Sequence, residues 1–464
     1  MRDPQNTYFT PWAWVQGGWQ KDVLLTVAIN GTWEKIEINA SDKKHAAIDV
    51  LHPVLPGLVN AHSHAFQRAI AGMTERAVTG QDNFWSWRER MYQAACKIGP
   101  EQLEAIAAFL YAELLQAGYT QVCEFHYLHN DLDGKAYADP LEMSLAMVRA
   151  AQRVGIGITL LPTLYMRSGF AASGLRDDQQ RFASTPDSIF KVIDGIDQLA
   201  SDARVNTGLA LHSLRAVGFS ALNEAVALAK ARKQAIHIHV AEQTDEVADC
   251  IATHGQRPVE WLLNHAGLDA RWNLVHATHT TGAELQAVQQ CGASIVLCPS
   301  TEANLGDGVF DLPAYANVQG KWSVGSDSHV TRSWQEELRL LEYSQRLQLR
   351  QRNVLSGLHD QRNSVGTAAA LFNAALSGGS AACGLPMGGL AVGQRADFVA
   401  VDTTSPALLG VPQDHLLDAM IFSSPDAQFS QVFVAGQRVA QAGRLEDWPR
   451  LASDFTQAMR QLWA

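Results

Sequence analysis

The sequence has few cysteines, no long apolar run and no run of basic residues. Its 6 cysteines are scattered and form no Cys-x-x-Cys motif, which predicts buried thiols in a reducing compartment rather than disulfides or a thiolate metal site. No apolar segment approaches the ~18 residues of a membrane span, and no apolar signal segment follows Met1, so we expect a cytoplasmic protein without a membrane partner. The net charge of −11 argues against a nucleic-acid partner.

The bulk composition is that of an ordinary globular protein. Hydrophobic residues make up 47% and charged residues 18% of the 464 positions, so the chain has enough apolar surface to build a folded core. A chain of this length is too long for one small core, and it suits one large domain together with a smaller one.

The central part of the chain alternates short hydrophobic strands with amphipathic helical segments. Eight strands separated by helices over somewhat more than ~250 residues predict a (β/α)₈ barrel, which we assign to residues 55–387. The alternative is a doubly wound parallel sheet, but no Gly-x-Gly-x-x-Gly motif follows an early strand. The predicted strands are 55–62, 119–126, 156–164, 206–212, 235–241, 273–278, 293–299 and 322–327, and the clearest helices are 100–115, 222–232, 258–265, 282–290 and 335–347.

Both ends of the chain have the pattern of short strands. Residues 23–38 predict a hairpin around Asn30-Gly31, the sequence typical of a type I′ turn. Further strands begin near Gly389 and Gln431. We therefore expect residues 1–54 and 388–464 to form one small β-sandwich domain, with a terminal helix at the C-terminus.

The first candidate site is the pair His62 and His64 at the end of the first predicted barrel strand. Side chains at positions i and i+2 of a strand leave the same face. The two imidazoles therefore converge on one point, within reach of a single metal ion. The alternative is a pair of hydrogen-bonded core or surface histidines, and this stretch alone leaves both open.

Other predicted strands also end in polar residues, and in such a barrel the chemistry lies at the carboxyl ends of the strands. Three imidazoles with a carboxylate suit a divalent first-row metal, zinc first. Asp327 suits the roles of ligand and base, and Glu242 suits proton transfer, whereas we expect His237, His279 and His329 to be packing or supporting residues. The strand-end residues are Glu124 to Tyr127, His212, Arg215, His237, His239, Glu242, His276, His279, Asp327 and His329.

The order of these motifs resembles the amidohydrolase superfamily: His-x-His at His62, then His-x-x-Glu at His239, a histidine at His276, and Ser-Asp at Asp327. More specific stretches resemble one branch of it, the formimidoylglutamate deiminases. The stretches that carry both resemblances are 56–69, 84–89 (Phe-Trp-Ser-Trp-Arg-Glu), 124–127, 212–217 (His-Ser-Leu-Arg-Ala-Val), 300–308 and 393–397.

The resemblance implies one metal ion per subunit. Superfamily members with two metals bridge them by a carboxylated lysine at the end of strand 4, and residues 206–212 contain no lysine. The implied ligands are His62, His64, His239 and Asp327, with zinc first and iron as the alternative. Relatives are commonly dimers, so we also expect a homodimer.

The resemblance further implies that N-formimidoyl-L-glutamate is hydrolysed to N-formyl-L-glutamate and ammonia, a step of histidine degradation. Asp327 would accept a proton from the attacking water, Glu242 would pass one to the leaving nitrogen, and His276 would orient the attacking oxygen. The implied partners of this dianionic substrate are Arg88 and Arg215 for the carboxylates, with Gln67, Tyr127 and His212 as neutral hydrogen-bonding groups.

Two other functions are also compatible with this fold. Another deaminase of the superfamily would act on a purine-like or pyrimidine-like ring and would need few cations, whereas two arginines favour an acyclic dianion. A metal-free scaffold built on the same fold would not need a complete set of ligands, and every candidate ligand is present here.

Overall fold

The computed structural model describes residues 6–76, 83–199, 202–356, 366–424 and 426–464. The first residues of the predicted small domain and parts of the predicted barrel range therefore lie outside the described residues. The strands, in chain order, are β1 (Thr7–Val15), β2 (Gly18–Val27), β3 (Trp33–Glu37), β4 (Ile48–Asp49), β5 (Val54–Pro56), β6 (Leu58–Ser63), β7 (Tyr119–His126), β8 (Gly157–Leu164), β9 (Val205–Thr207), β10 (Leu209–Ser213), β11 (Ile236–Val240), β12 (Trp272–His276), β13 (Ser294–Leu297), β14 (Lys321–Val324), β15 (Phe398–Val401), β16 (Phe429–Val434) and β17 (Gln437–Gln441).

The α-helices alternate with the central strands and continue beyond them. They are α1 (Phe84–Ala95), α2 (Pro100–Gln116), α3 (Glu142–Val154), α4 (Pro186–Leu199), α5 (Phe219–Arg232), α6 (Thr244–His254), α7 (Pro258–His265), α8 (Gly282–Cys291), α9 (Pro299–Leu305), α10 (Leu312–Asn317), α11 (Trp334–Leu349), α12 (Thr367–Cys383), α13 (Leu416–Phe422) and α14 (Trp448–Trp463). Short 3₁₀ helices occur at Ser41–Ala46, Ala65–Ala69, Asp177–Phe182 and Gln413–His415. Within the described part of the chain, no helix has the length and apolar character needed to cross a bilayer.

The central strands form the predicted barrel. Their order is β6-β7-β8-β10-β11-β12-β13-β14, with all neighbours parallel and β9 paired to β8. The sheet closes where Ser63 pairs with Asp327 across the first and last strands. The (β/α)₈ prediction is therefore confirmed, and the doubly wound sheet is wrong because an open sheet has no such closing pair.

Burial on both faces explains why the sequences of the barrel strands are continuous hydrophobic runs. Every residue of β7 and β8 is buried, because the barrel interior covers one face of a strand and the helices cover the other. Helix α2 begins at Pro100 and ends before Gly118, whose φ of +88° favours glycine. The polar residues that follow the strands all emerge at the carboxyl end of the barrel.

The two ends of the chain form one antiparallel-rich sheet in the order β17-β16-β15-β5-β1-β2-β3, with β4 paired to β1. Trp33 of β3 lies 5.6 Å from Phe398 of β15 between ring centroids, although three strands separate them in the sheet. The sheet therefore folds over itself, and Tyr8 packs edge-on against Phe398 and Phe433 inside the fold. This arrangement is the predicted sandwich built from both chain ends.

The hairpin between β2 and β3 is present, but its predicted turn type is wrong. The last pair before the turn is Val27 with Trp33, so the loop has five residues, 28–32. Within that loop only Gly31 has a positive φ, +80°, whereas a type I′ turn needs a positive φ at both central residues. Glycine takes the left-handed position without a steric penalty, and Asn30 instead accepts a hydrogen bond from the Thr32 backbone N–H.

A buried ion pair joins the sandwich to the barrel. Arg395 makes two hydrogen bonds to Asp397, at 3.0 and 2.7 Å, and it also donates to Gln121 Oε1 and Thr120 O on β7. Asp397 accepts a further bond from the Ala435 backbone N–H. Between the two sheets, only one residue separates β5 from β6. The boundaries assigned at 54/55 and 387/388 stay predictions.

We expect Arg395→Met to lower the free energy of unfolding by about 3–5 kcal/mol, because it leaves the buried Asp397 carboxylate without its partner. Urea denaturation of the purified protein measures this change. The control is Arg149→Met, which breaks an exposed pair with Glu104 and should cost about 1 kcal/mol or less. Equal losses in the two variants would contradict the assignment of Arg395 as the anchor between the sheets.

Candidate active site

The predicted site residues meet in one cavity at the carboxyl end of the barrel. Every one of them except His62 lines this cavity, and His62 lies directly beside it, in contact with His64 and His239. The residues that line it are His64, Gln67, Arg88, Tyr127, His212, Arg215, His239, Glu242, His276 and Asp327. Their roles in binding and catalysis stay predictions, while their convergence is a property of the fold.

Three imidazoles form the deepest part of the site. The Nε2 atom of His62 lies 3.1 Å from Nε2 of His64 and 3.0 Å from Nε2 of His239. Asp327 Oδ1 lies 3.5 Å from Nε2 of His62 and 3.4 Å from Nε2 of His64. Four donor atoms from β6, β11 and the segment after β14 therefore surround one small volume.

The hydrogen bonds of the outer ring nitrogens decide which way the lone pairs point. His64 Nδ1 donates to the Phe125 carbonyl at 2.9 Å, and His239 Nδ1 donates to the His212 carbonyl at 3.0 Å. A neutral imidazole has one proton, so both Nε2 atoms present lone pairs to the shared volume. Burial, the largest cause, lowers the pKa of His62, His64 and His239 and keeps them neutral.

Neutral nitrogens that face one another at about 3 Å repel unless a cation lies between them. Nitrogen ligands with one carboxylate suit a divalent first-row metal, and the backbone carbonyls that orient the rings are the support expected for metal-binding histidines. The four side chains therefore fit the predicted metal ion.

A second cluster in the described residues brings His276, Cys298 and Asp327 within 4.8 Å of one another. Burial raises the pKa of the Cys298 thiol well above its usual value, and a protonated thiol is a poor metal ligand. The histidine cluster is therefore the better metal site, in agreement with a single ion.

His276 lies among three carboxylates. Its Nε2 is 3.7 Å from Glu242 Oε1 and 3.8 Å from Asp327 Oδ2, and its Nδ1 donates to Glu302 Oε1 at 3.3 Å. Burial lowers the pKa of His276, but Glu242, Glu302 and Asp327 outweigh this effect and raise it to about 10. Burial also raises the pKa of Glu242 to about 7, against the opposing effects of His276 and Arg215. Glu242 can therefore hold or release a proton near neutral pH.

Sequence reasoning assigned no role to Glu302, which accepts hydrogen bonds from His276 and from the Cys298 backbone N–H at 2.8 Å. It lies in α9, within the stretch 300–308 that carries the resemblance. It does not follow a strand directly, so the strand-end pattern could not find it.

The backbone bends sharply where two of these side chains enter the cavity. His276 has a φ of +67° and Asp327 a φ of +44°, a region that costs non-glycine residues about 1–3 kcal/mol each. Such strain is common at functional sites, where the strained backbone fixes the direction in which the side chain points. Histidine and aspartate adopt a positive φ more often than most non-glycine residues, but residue type alone did not predict it at these two positions.

The two predicted arginines lie together on another wall of the cavity. The guanidinium carbon of Arg88 is 4.5 Å from the Trp85 ring centroid, and that of Arg215 is 5.7 Å from it. Both Nε atoms are buried without a hydrogen-bond partner among the described residues. Arg215 Nη2 is 4.0 Å from Glu242 Oε2. Arg88 lies in α1, which begins at Phe84 and is capped by Asn83, and not in a loop.

The neutral groups complete the cavity. Gln67 donates to the Tyr127 hydroxyl at 3.2 Å, while its Oε1 is buried without a partner in the described structure. His212 stacks obliquely on Tyr165, with centroids 4.3 Å apart. Further lining residues, to which sequence reasoning assigned no role, are Phe84, Trp87, Met91, Tyr92, Tyr165, Arg167, Ser168, Ser213, Ala216 and Leu305.

The three histidines expected to be supporting or packing residues lie outside the ligand cluster. His237 lies two residues before His239 on β11 and donates to the Ala382 carbonyl of α12 at 2.8 Å. His329 donates to the His64 carbonyl at 3.0 Å and so supports the His-x-His segment from behind. His279 lies near Gly308 and has no hydrogen-bond partner for Nε2 among the described residues.

Comparison with known proteins agrees with this geometry. The amidohydrolase family model matches residues 54–439, from β5 through most of β17. The chain belongs to the amidohydrolase family. It is 44% identical over 446 residues to the formimidoylglutamate deiminase of Pseudomonas aeruginosa, covering 96% of this chain and 97% of that protein. The crystal structure of an amidohydrolase from Brucella melitensis is 40% identical, with a TM-score of 0.92 over 99% of this chain and 100% of that one.

A more distant relative is a deaminase of a different name. The 5-methylthioadenosine/S-adenosylhomocysteine deaminase of Halobacterium salinarum is 27% identical over 363 residues, covering 78% of this chain and 76% of that protein. The predicted membership of the amidohydrolase superfamily is confirmed, and with it the prediction of a hydrolase. In this amidohydrolase, the cavity wall formed by Arg88 and Arg215, the arginine wall, is the feature that bears on the choice of substrate.

We expect His239→Ala to abolish or greatly weaken metal binding and turnover while the barrel stays folded, because it removes one of the converging nitrogens. Metal content per subunit, measured on purified protein, checks this. The matched control is His237→Gln, two residues away on the same strand but bonded to Ala382 O and outside the histidine cluster, which should keep its metal. Full metal content and near-normal activity in His239→Ala would show that the ligand assignment is wrong.

Proposed function

We propose that this amidohydrolase hydrolyses N-formimidoyl-L-glutamate to N-formyl-L-glutamate and ammonia. The observation that carries the proposal is the pair of half-buried arginines, Arg88 and Arg215, which lie on one wall of the cavity that also contains the histidine cluster. The 44% identity to a formimidoylglutamate deiminase over nearly the whole chain supports the same substrate.

The arginine wall suits a substrate with two carboxylates. A protein with a net charge of −11 needs local cations to hold a dianion, and a guanidinium pairs with a carboxylate through two parallel hydrogen bonds. Arg88 and Arg215 both have an unpaired buried Nε–H, and leaving such donors unsatisfied costs free energy that a bound carboxylate would recover. The substrate's amidine carbon would then lie toward His276 and Asp327.

The chemistry needs a proton acceptor for water and a proton donor for the leaving nitrogen. A divalent metal held by His62, His64, His239 and Asp327, zinc in our proposal, would lower the pKa of water in the site. Asp327 accepts a proton from water as its oxygen attacks the formimidoyl carbon. Glu242 then delivers a proton to the nitrogen that leaves, so that ammonia departs rather than an amide anion. His276, held by Glu302, orients the attacking oxygen.

The competing function is deamination of a purine-like ring. The similarity to the 5-methylthioadenosine/S-adenosylhomocysteine deaminase of Halobacterium salinarum favours it. A neutral ring would leave the buried Nε–H groups of both arginines without a hydrogen-bond partner, which argues against it. Ammonia release from N-formimidoyl-L-glutamate, N-formimidoyl-L-aspartate and guanine, measured side by side, decides between them. Release from guanine alone would overturn the proposal.

Three further predictions accompany the proposed function: a homodimer, a cytoplasmic location and participation in histidine degradation. Each stays a prediction. Sedimentation of the purified protein measures the first, and growth of a deletion strain on histidine as sole nitrogen source measures the last.

We expect Glu242→Gln to lower kcat by about 10²–10⁴-fold with metal content unchanged, because the amide keeps the size of the side chain but cannot carry the proton. Steady-state kinetics together with metal analysis test this. Glu224→Gln, on the exposed side of α5, is the control and should leave kcat unchanged. Loss of metal from Glu242→Gln would make Glu242 a ligand instead of a proton carrier.

We expect Arg215→Met to lower kcat/KM for N-formimidoyl-L-glutamate by about 10- to 100-fold, since a hydrogen bond to a charged group contributes about 1.5–3 kcal/mol. Arg88→Met should have a similar effect, and lysine at either position should restore only part of the loss. The control is Arg232→Met, which removes a partner of Asp194 on the outer surface. Wild-type kcat/KM in both active-site variants would remove the physical support for a dianionic substrate.

A further inference from the structure

Arg167 is a half-buried cation of the cavity wall that the proposed reaction does not use. It follows β8 by three residues and lines the same cavity as Arg215. No carboxylate of the described residues lies within ion-pair distance of it. Burial lowers the pKa of Arg167. Partial removal of a charged guanidinium from water costs free energy when no counter-charge is near, so other contacts must stabilise Arg167 in this position.

The guanidinium donates to backbone carbonyls at every hydrogen bond it makes. Nε donates to Arg215 O at 3.1 Å, and Nη2 donates to Leu214 O at 2.9 Å and to Val217 O at 3.2 Å. Nη1 donates to Phe170 O in its own loop at 3.2 Å. Three of the four acceptors thus belong to the turn 214–217, which follows β10.

The backbone beside Arg167 holds the same turn. The N–H groups of Met166 and Arg167 both donate to Ala216 O, at 2.9 and 3.1 Å. Every carbonyl of the turn 214–217 is therefore bound from the loop after β8. This turn contains Arg215, whose own guanidinium makes no hydrogen bond to a described residue. It lies over the rings of Phe84 and Trp85, with Glu242 Oε2 4.0 Å from its Nη2.

From these contacts we propose that Arg167 is a positioning residue, which fixes the turn 214–217 so that the Arg215 guanidinium is held ready for a substrate carboxylate. Ordering of a loop when a ligand binds costs free energy, and a turn that is already held in place removes this cost before the substrate binds. The planar fork of Arg167 reaches three carbonyls of the turn, which a single lysine ammonium cannot do. The inference rests on the proposed function, because it concerns recognition of a carboxylate by Arg215.

A double-mutant cycle tests the inference with Arg167→Met, Arg215→Met and the double variant. Kinetics with N-formimidoyl-L-glutamate are measured for all of them, together with the dissociation constant of the product N-formyl-L-glutamate. We expect Arg167→Met to lower kcat/KM by about 10-fold, mainly through a higher KM, and to weaken product binding by a similar factor. The double variant should be no worse than Arg215→Met alone, because Arg167 acts through Arg215.

Other outcomes overturn the inference. If the losses of the two single variants multiply in the double variant, Arg167 acts independently of Arg215. If Arg167→Met lowers kcat and leaves KM and product binding unchanged, its role is not in carboxylate recognition. Arg167→Lys, a smaller change, provides the same cycle if the methionine variant does not fold, and it should also raise KM. A wild-type protein that releases no ammonia from the substrate would refute the proposed function and the inference together, whereas an active wild type with multiplicative losses refutes the inference alone.

Discussion

The site depends on the close approach of the first and last barrel strands at Gly325. A β-carbon at this position would lie 2.6–2.8 Å from the backbone and Cβ of His62, so a larger residue would force β14 away from β6. Because glycine is present, Asp327 N–H donates to His62 O, and His64 N–H donates to Asp327 O. Asn60 and Ser326 add a reciprocal pair of hydrogen bonds at the same seam. The contacts that close the barrel therefore also bring Asp327 beside His62 and His64.

A buried acid supports the other side of the same segment. Glu124 accepts hydrogen bonds from Ser63 Oγ at 2.7 Å, from the Ala65 N–H at 2.7 Å and from the Tyr111 hydroxyl at 3.1 Å. Burial raises the pKa of Glu124 to about 7 despite these bonds. With His329 bound to the His64 carbonyl, the His-x-His turn is held on both sides, as a preorganised metal site requires.

The cavity separates two kinds of electrostatics. Its deepest part contains the neutral imidazoles of His62, His64 and His239, which suit a cation. One wall contains Arg88 and Arg215, which suit an anion. Glu242 lies between them, with Oε1 near His276 and Oε2 near Arg215. A substrate with an amidine at one end and carboxylates at the other would match this separation. We propose that the wall formed by Arg88 and Arg215 is the physical basis for the choice of substrate.

Local sequence determined those features that depend on neighbours along the chain. The period of apolar residues predicted the barrel, helix α7 at its observed bounds (Pro258–His265), and the convergence of His62 with His64, because burial on a strand or helix depends on spacing alone. Tertiary structure decided the rest. The bond from His276 to Glu302 and the bonds from Arg167 to the turn 214–217 join segments that are distant in sequence. Such contacts exist only once the barrel has closed, so no local pattern of residue types encodes them.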